Sequence, residues 1–387
     1  LSASLHGLLF TAADPEYGEV RTVWNAMIDR HPMLVVGAAD VADVSLALAF
    51  AREHGLPLAI RSGGHNVAGF ATVEHGLGLD MRALNSVHVD AAEQRVRVGG
   101  GALLGELDRA TSAHGLAVPV GVVSKTGVAG LCLGGGFGWL TRPFGLTVDN
   151  LTAADLVTPE GELVHTDDTT NPDLLWGLTG GGGNFGVVTE FTFKAHPLPE
   201  TLYAGNLIYR PKQWKQALRA LRDWAAGLPD QMTVIVTAMV PPPEWELGNS
   251  SVLIVGFLWA DPDHAAGAAC IEEFLAAAPT EEQDISPVSW PDWQSVVDEM
   301  FPKGVRAYWK NSALDDLSDE AINVFTARAR QLDWPGMGFD IHVMGGAMGR
   351  VRPEATAFGD RSSPFWLNIY GFWNGKERDD HHVAFIR

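Results

Sequence analysis

Apolar residues recur at helical spacing near the start of the chain. Across 15–29 (PEYGEVRTVWNAMID), Val20, Val23, Trp24 and Met27 fall on one face, which predicts an amphipathic helix stopped by His31–Pro32. Two short apolar runs, 33–36 (MLVV) and 57–60 (PLAI), read as buried strands. Between them 39–55 (ADVADVSLALAFAREHG) reads as a helix closed by Gly55. The pattern continues with a strand ending at 95–101, a helix over 103–115, a strand over 151–159, and helix, glycine loop and strand over 173–200.

Beyond the HPLPE stretch at 196–200 the texture changes. Glycine clusters thin out, tryptophan becomes frequent, and long apolar runs at 232–240, 251–260 and 338–346 predict strands. Amphipathic segments at 213–227 and 319–332 predict helices. A length of 387 residues exceeds one ordinary domain. The two textures divide it into 1–199 and 200–387, with no internal repeat between them.

Composition narrows the function. A net charge of −20 argues against nucleic-acid and anionic-membrane partners. Two cysteines, Cys132 and Cys270, exclude a disulfide scaffold or a multi-cysteine metal site. The N-terminus lacks a basic segment followed by an apolar core, so the expectation is a cytoplasmic protein. No apolar stretch approaches the ~20 residues of a spanning helix.

Glycine makes up 43 residues and is clustered at Gly63–Gly64, Gly134–Gly136 and Gly180–Gly183. Successive glycines let backbone N–H groups converge on an anion, and no cluster contains a lysine. Each alone could be a tight turn; three within 125 residues, one at a strand end, favour a nucleotide cofactor. The string GGGNFG (181–186) has G-x-G-x-x-G lettering in the wrong context, since a helix precedes it and a strand follows. No P-loop, zincin or nucleophile-elbow motif is present. Asp379-Asp380-His381-His382 reads as solvated surface rather than a metal site, and no metal is expected. His65 follows Gly63–Gly64 directly, where a loop would approach a cofactor; on spacing alone a lone histidine is more often structural.

RSGGHNVAGF (61–70), TGVAGLCLGGGFGWLTRPFGLTVDNL (126–151) and LLWGLTGGGGNFGVVTEFTF (174–193) resemble the FAD-linked oxidases of the vanillyl-alcohol-oxidase type, in their berberine-bridge-enzyme-like branch. The resemblance implies an α+β protein: a PCMH-type FAD-binding domain of two α/β subdomains, then a substrate domain with an antiparallel sheet flanked by helices. It implies FAD held by Arg61, Ser62, Gly63, Gly64, His65, Asn66, Gly69 and Phe70. Further contacts are implied from Gly121, Val123, Ser124, Thr126, Gly127, Gly130, Leu131, Gly134, Gly135 and Gly136, and from the backbone of Val187 and Val188. His65 occupies the position that bonds covalently to the flavin in this family.

Two departures stand out. Many members attach the flavin a second time through a cysteine; here that position is Val123, so one covalent link is expected and an oligosaccharide substrate is disfavoured. Cys132 is expected as a buried small residue. The family's C-terminal tail, with a catalytic tyrosine and a final strand returning to the FAD domain, is not found before Arg387. The expectation is either a fragment or a short protein.

The catalytic group is therefore sought in 200–387. Asp340, His342 and Met344 share one face of a strand by period 2. That face either meets solvent or places a base in a pocket. Tyr308, two residues from Lys310, is a weaker candidate, and Trp309 or Trp373 could line the site. The leading expectation is an oxidase passing hydride from a small alcohol, amine or secondary-metabolite substrate to covalent flavin, with O2 as acceptor and H2O2 as product. An oxidative cyclase or oxygenase, and a catalytically idle flavin- or ligand-binding protein, are the alternatives.

Overall fold

The computed structural model describes all 387 residues. Chain order begins with β1 (Leu8–Phe10), β2 (Leu34–Gly37), β3 (Leu58–Arg61) and β4 (Leu77–Asp80), which form a four-stranded sheet ordered β1-β2-β4-β3. β2, β4 and β3 run parallel, and the helix Val41–Glu53 makes the crossover between β2 and β3. Asp40 caps that helix by accepting the Asp43 amide. Val44, Ala47, Leu48 and Ala51 pack it onto the sheet with Val36, Leu77 and Leu79.

β5 (Val87–Asp90), β6 (Arg95–Gly99), β7 (Leu116–Ala117), β8 (Leu151–Val157), β9 (Leu163–Asp167), β10 (Val187–Lys194) and β11 (His196–Pro197) follow. All but β7 and β11 join an antiparallel sheet ordered β5-β6-β10-β8-β9, and β7 pairs with β11 alone. The chain then enters β12 (Leu202–Tyr209), β13 (Met232–Met239), β14 (Val252–Trp259), β15 (Gln283–Val288), β16 (Arg306–Leu314), β17 (Met337–Val343) and β18 (Phe365–Trp373). These make one antiparallel sheet of seven strands, ordered β15-β12-β14-β13-β17-β18-β16.

β13 and β14 are buried on both faces, which is why they read as unbroken apolar runs. One face of the large sheet carries Leu207, Val236, Val255 and Ile341 against the helices Trp214–Ala225, His264–Ala277 and Asp319–Ala329. The other face looks back at the glycine loops of the first half.

The helix expected over 15–29 is only Tyr17–Arg21. From Thr22 the chain leaves the helix and runs as a loop with a turn at Ala26–Met27, because its side chains serve longer-range contacts. The Trp24 amide donates to Gly64 O at 3.0 Å and its indole to Phe301 O at 3.1 Å. Asn25 Nδ2 donates to Val67 O and Ala307 O. The apolar face that mimicked a helix is thus a strap tying the 61–67 loop to the large sheet. Asp379–His382 is solvated only in part, at the exposed Asp380 and His381. It opens the helix Asp379–Ile386; Asp379 pairs with Arg306, and His382 is buried between Trp334 and Trp373. A polar string hid a docked helix because Arg306 and the two indoles lie far away in sequence.

Candidate active site

β3 delivers the chain into the first glycine loop at Arg61, which is buried with Nη1 donating to Val20 O at 2.6 Å. The next five amides, Ser62 to Asn66, donate to no acceptor in the protein. Consecutive free N–H groups around a positive-φ glycine (Gly64, φ 69°) make an anion-binding concavity. Gly63 and Gly127 pass so closely that a Cβ on either would collide with the other's amide nitrogen. The first two glycine-bearing segments are thereby locked together at residues that admit no side chain.

His65 stacks on Trp24, with ring centroids 4.7 Å apart and planes at 23°. Its Nε2 is buried without a partner. Burial pulls its pKa down to about 4 against the opposing Asp298 carboxylate, so the ring is neutral near pH 7. A neutral imidazole with an uncommitted nitrogen is the form able to attack an electrophilic carbon. Gly69 (φ 76°) packs against Ile28 and closes the turn. Phe70, the last of the expected contacts, is 73% exposed just beyond Gly69.

The second segment lies alongside. Val123 is buried with Trp24, Phe301, Tyr370 and Phe372, so it sits beside the His65 stack with no nucleophilic atom. The Ser124 amide donates to Asp298 Oδ1 at 2.9 Å, and its hydroxyl to Oδ2. Thr126 O accepts the Leu104 amide, and Leu131 packs against Gly121 where a Cβ would not fit. Gly135 and Gly136 hold φ of 116° and 73°, and a Cβ on Gly130 would meet nothing within 4 Å. Packing therefore explains Gly121 and Gly136 but not Gly130. Gly134 makes only ordinary contacts. Val187 and Val188 pair with Val157 and Leu156 on one edge, while pairing with β6 starts only at Glu190. Cys132 is buried in the core, where burial pushes its thiol pKa up.

Opposite these loops is the inner face of the large sheet. Its register sets successive rungs: Asn206, Gly256, Ile235 and His342, then Ile254, Thr237, Asp340 and Asn368, then Met239, Gly338 and Tyr370. Asp340 and His342 point the same way, as period 2 predicted, and they face a cavity rather than solvent. The cavity has a volume of about 100 Å³. Trp139, Ile235, Trp293, Met300 and Phe301 supply apolar wall, and Asn206, Thr237, Asp340, His342 and Tyr370 the polar groups. Burial raises Asp340 to about 7, against hydrogen bonds from Thr237 and Tyr370 that favour its ionised form. The Tyr370 hydroxyl donates to Asp340 Oδ1 at 3.2 Å, and burial beside that carboxylate raises its own pKa. His342 is lowered to about 4 by burial, and its Nε2 stands 3.2 Å from Asn368 Nδ2. A carboxylate poised near neutrality in an apolar cavity is suited to take a proton.

Tyr308 does not join this group. Its register partner is Gly371, which puts it on the opposite sheet face, where its hydroxyl accepts from Arg387 Nε at 3.1 Å. Tyr308 and Lys310 do share a face, with Lys310 Nζ 5.9 Å from the Tyr308 ring, but it is the face away from the cavity. Trp309 is on the cavity side, 5.0 Å from Tyr370 by centroids, whereas Trp373 belongs to the helix-side core. Tyr370, Asn368 and Thr237 were not singled out from sequence. A signal for the first two existed: Asn368 and Tyr370 lie two apart in the aromatic strand FWLNIYGFW, the same pattern that marked Asp340 and His342.

These residues fit FAD on their own terms. The free amides of 62–66 and the buried, unpartnered Ser62 Oγ and His65 Nε2 are donors and acceptors that the protein leaves unused. Residues 32–167 match the FAD binding domain family. The chain is 30% identical over its whole length to the FAD-linked oxidoreductase YvdP of Bacillus subtilis (strain 168), of which it covers 86%. It is 37% identical to (R)-6-hydroxynicotine oxidase of Paenarthrobacter nicotinovorans over 54% of this chain and 45% of that one. The fold superposes on the crystal structure of 6-hydroxy-D-nicotine oxidase from Arthrobacter nicotinovorans with a TM-score of 0.89. That match has 25% identity and covers 99% of this chain and 84% of that one. BBE-like 1 of Physcomitrella patens shares the fold at the same TM-score, with 22% identity, over 99% of this chain and 85% of that one. With the α+β architecture and the loop geometry pointing the same way, the chain belongs to the FAD-linked oxidoreductases of the vanillyl-alcohol-oxidase superfamily with a PCMH-type FAD-binding domain.

Proposed function

We propose that this chain oxidises a small alcohol, amine or secondary-metabolite substrate bound in the cavity between the glycine loops and the large sheet, with O2 as electron acceptor and H2O2 as product. The observation that carries the reading is the Asp340–Tyr370 pair on the wall of a mostly apolar cavity. FAD, when bound, supplies the hydride acceptor. The free amides of 62–66 would hold its phosphates, and His65 would provide the single covalent attachment. Val123 leaves no second one.

Asp340 takes the proton that a substrate hydroxyl or ammonium must lose as its carbon gives up hydride. Tyr370 fixes the carboxylate rotamer and its hydroxyl hydrogen bond favours the ionised form. Trp139, Trp293, Met300 and Phe301 keep water from the reacting carbon, which strengthens the Asp340 interaction.

The test is anaerobic. The FAD-loaded protein is mixed with a panel of benzylic alcohols and cyclic amines while flavin absorbance near 450 nm is followed; air is then admitted and peroxide counted. Bleaching followed by one peroxide per bleached flavin supports the oxidase. Bleaching that air does not reverse points to another acceptor, and a flavin no panel member bleaches removes the reading.

A further inference from the structure

His342 shares its cavity wall with Asp340, and the proton transfer does not use it. The neighbouring strand fixes which of its ring nitrogens carries the hydrogen. Trp366 faces His342 across the β17–β18 pairing, and Asn368 faces Asp340. The Trp366 Nε1–H donates to Asn368 Oδ1 at 3.1 Å. An indole can only donate, so the amide oxygen must be the atom turned towards it. Asn368 Nδ2 is then the atom 3.2 Å from His342 Nε2. An amide nitrogen also only donates, so Nε2 accepts and carries no hydrogen. Burial holds the ring's pKa at about 4, so the ring is neutral near pH 7 and its single N–H is at Nδ1.

That N–H meets no acceptor in the protein. Nδ1 nevertheless keeps accessible surface, unlike the sealed Nε2 of His65 or the sealed indole nitrogens of Trp139 and Trp293. His342 lines the cavity. Asn368 and Trp366, on its Nε2 side, do not line it, and neither does Phe137, packed edge to face with centroids 5.0 Å apart. The accessible edge of the ring is therefore the cavity edge. Asp340 stands two residues away on the same face, about 7 Å along β17. The wall thus offers one group that takes a proton and, beside it, one that donates a hydrogen bond. An apolar ligand leaves that N–H unsatisfied, whereas a carbonyl, an ether or a ring nitrogen matches it.

We propose that Trp366 and Asn368 lock His342 in its Nδ1–H form and that this N–H binds an acceptor atom of the substrate, selecting molecules with an oxygen or unprotonated nitrogen about 7 Å from the group that gives its proton to Asp340. His342 is then a specificity-determining residue, and Asn368 and Trp366 position it. The inference rests on the oxidase reading of this cavity and specifies its substrate class.

The tautomer is read from long-range 1H–15N spectra of the FAD-loaded protein labelled in histidine. The His342 signals are those lost in His342→Phe or His342→Gln. Wild type is expected to show a protonated Nδ1 and a bare Nε2; a protonated Nε2 overturns the proposal. Asn368→Leu removes the donor and should let the hydrogen move to Nε2, and an unchanged ring overturns the lock.

Acetophenone and α-methylstyrene test the acceptor. They are planar and nearly isosteric, differ by C=O against C=CH2, and carry no oxidisable alcohol or amine. Binding of each to the FAD-loaded protein is measured by calorimetry. Wild type is expected to hold acetophenone about ten-fold more tightly, and its Nδ1 signal should move with that ligand alone. His342→Phe and Asn368→Leu are each expected to cut the ratio about three-fold or more. A wild-type ratio near one, or equal weakening of both ligands in the variants, overturns the selection. So does a shift of flavin absorbance in ligand-free His342→Phe, which would mean that the flavin takes the N–H.

Should a variant fail to fold, the wild-type tautomer and its response to the two ligands decide. The oxidase reading fails separately. If tautomer and ratio hold but no alcohol or amine bleaches the flavin, the donor stands and the assigned chemistry falls.

Discussion

Tyr370 and Asp340 come from adjacent strands, and the tyrosine hydroxyl donates to Asp340 Oδ1 at 3.2 Å inside a cavity that is otherwise mostly apolar. Burial raises the carboxyl to about 7. Activity that needs the ionised form must then rise with pH through about 7. Tyr370→Phe removes a hydrogen bond that favours the charged form, so the inflection should move to higher pH. A pH profile of kcat/KM for both proteins checks this, and an unmoved inflection would separate Tyr370 from the titrating group.

Asp340→Asn keeps the volume and removes the base. The expected loss in kcat is about 10²–10⁴-fold near pH 8, with FAD content unchanged. Anaerobic flavin reduction in a stopped-flow instrument checks it. Full activity in this variant would mean that the substrate reacts without a base.

The same carboxyl sets a stability slope. Its folded pKa is raised from 3.8 to about 7, so the folded state binds the proton more tightly than the unfolded chain does. Its contribution is fully present below about pH 4 and is lost as pH rises through about 7. Asp340→Asn should therefore gain stability relative to wild type as pH increases across that window, and level off above it. Chemical denaturation at several pH values measures the difference. His342, lowered from 6.5 to about 4, acts in the opposite sense: its contribution is present above 6.5 and lost as pH falls towards 4.

Gly63 and Gly127 lock two loops where neither can carry a Cβ. Gly127→Ala should cost about 1–3 kcal/mol or more and reduce the flavin retained on purification. Thermal melting and the ratio of flavin to protein absorbance check the two effects together. An alanine variant with normal flavin content would show that the loops can separate without harm.

Arg142 ties the two halves together. Its Nε donates to Met232 O at 2.7 Å, Nη2 to Leu228 O at 2.9 Å and Nη1 to Met344 O, and it is 4% exposed. Arg142→Met takes this donor from the buried Met232 and Leu228 carbonyls and from the part-buried Met344 and Pro229 carbonyls, and should cost about 3 kcal/mol or more by denaturant unfolding.

Much of this was legible in the sequence because it is local. The helix at 39–55, the long strands of the second half and the strand-to-glycine turn at Arg61 rest on periodicity and on residues adjacent in the chain. The shared face of Asp340 and His342 followed from period 2 alone. What failed depended on distant partners. Trp24 and Asn25 look like a helix face until Gly64, Phe301 and Ala307 are placed beside them. Tyr308 and Asp340 are both plausible cavity residues until the β16–β18 register sends Tyr308 to the other side. Tyr370 was hidden among aromatics, although its spacing from Asn368 carried the same signal as Asp340 and His342.

The most direct test concerns His65, the neutral, unpartnered imidazole at the end of the free-amide loop. The purified yellow protein is precipitated with acid and the flavin absorbance of pellet and supernatant compared, for wild type and His65→Ala. Colour is expected in the wild-type pellet and none in the variant's. Flavin released into the wild-type supernatant would contradict the attachment, and colour retained by His65→Ala would place it on another residue.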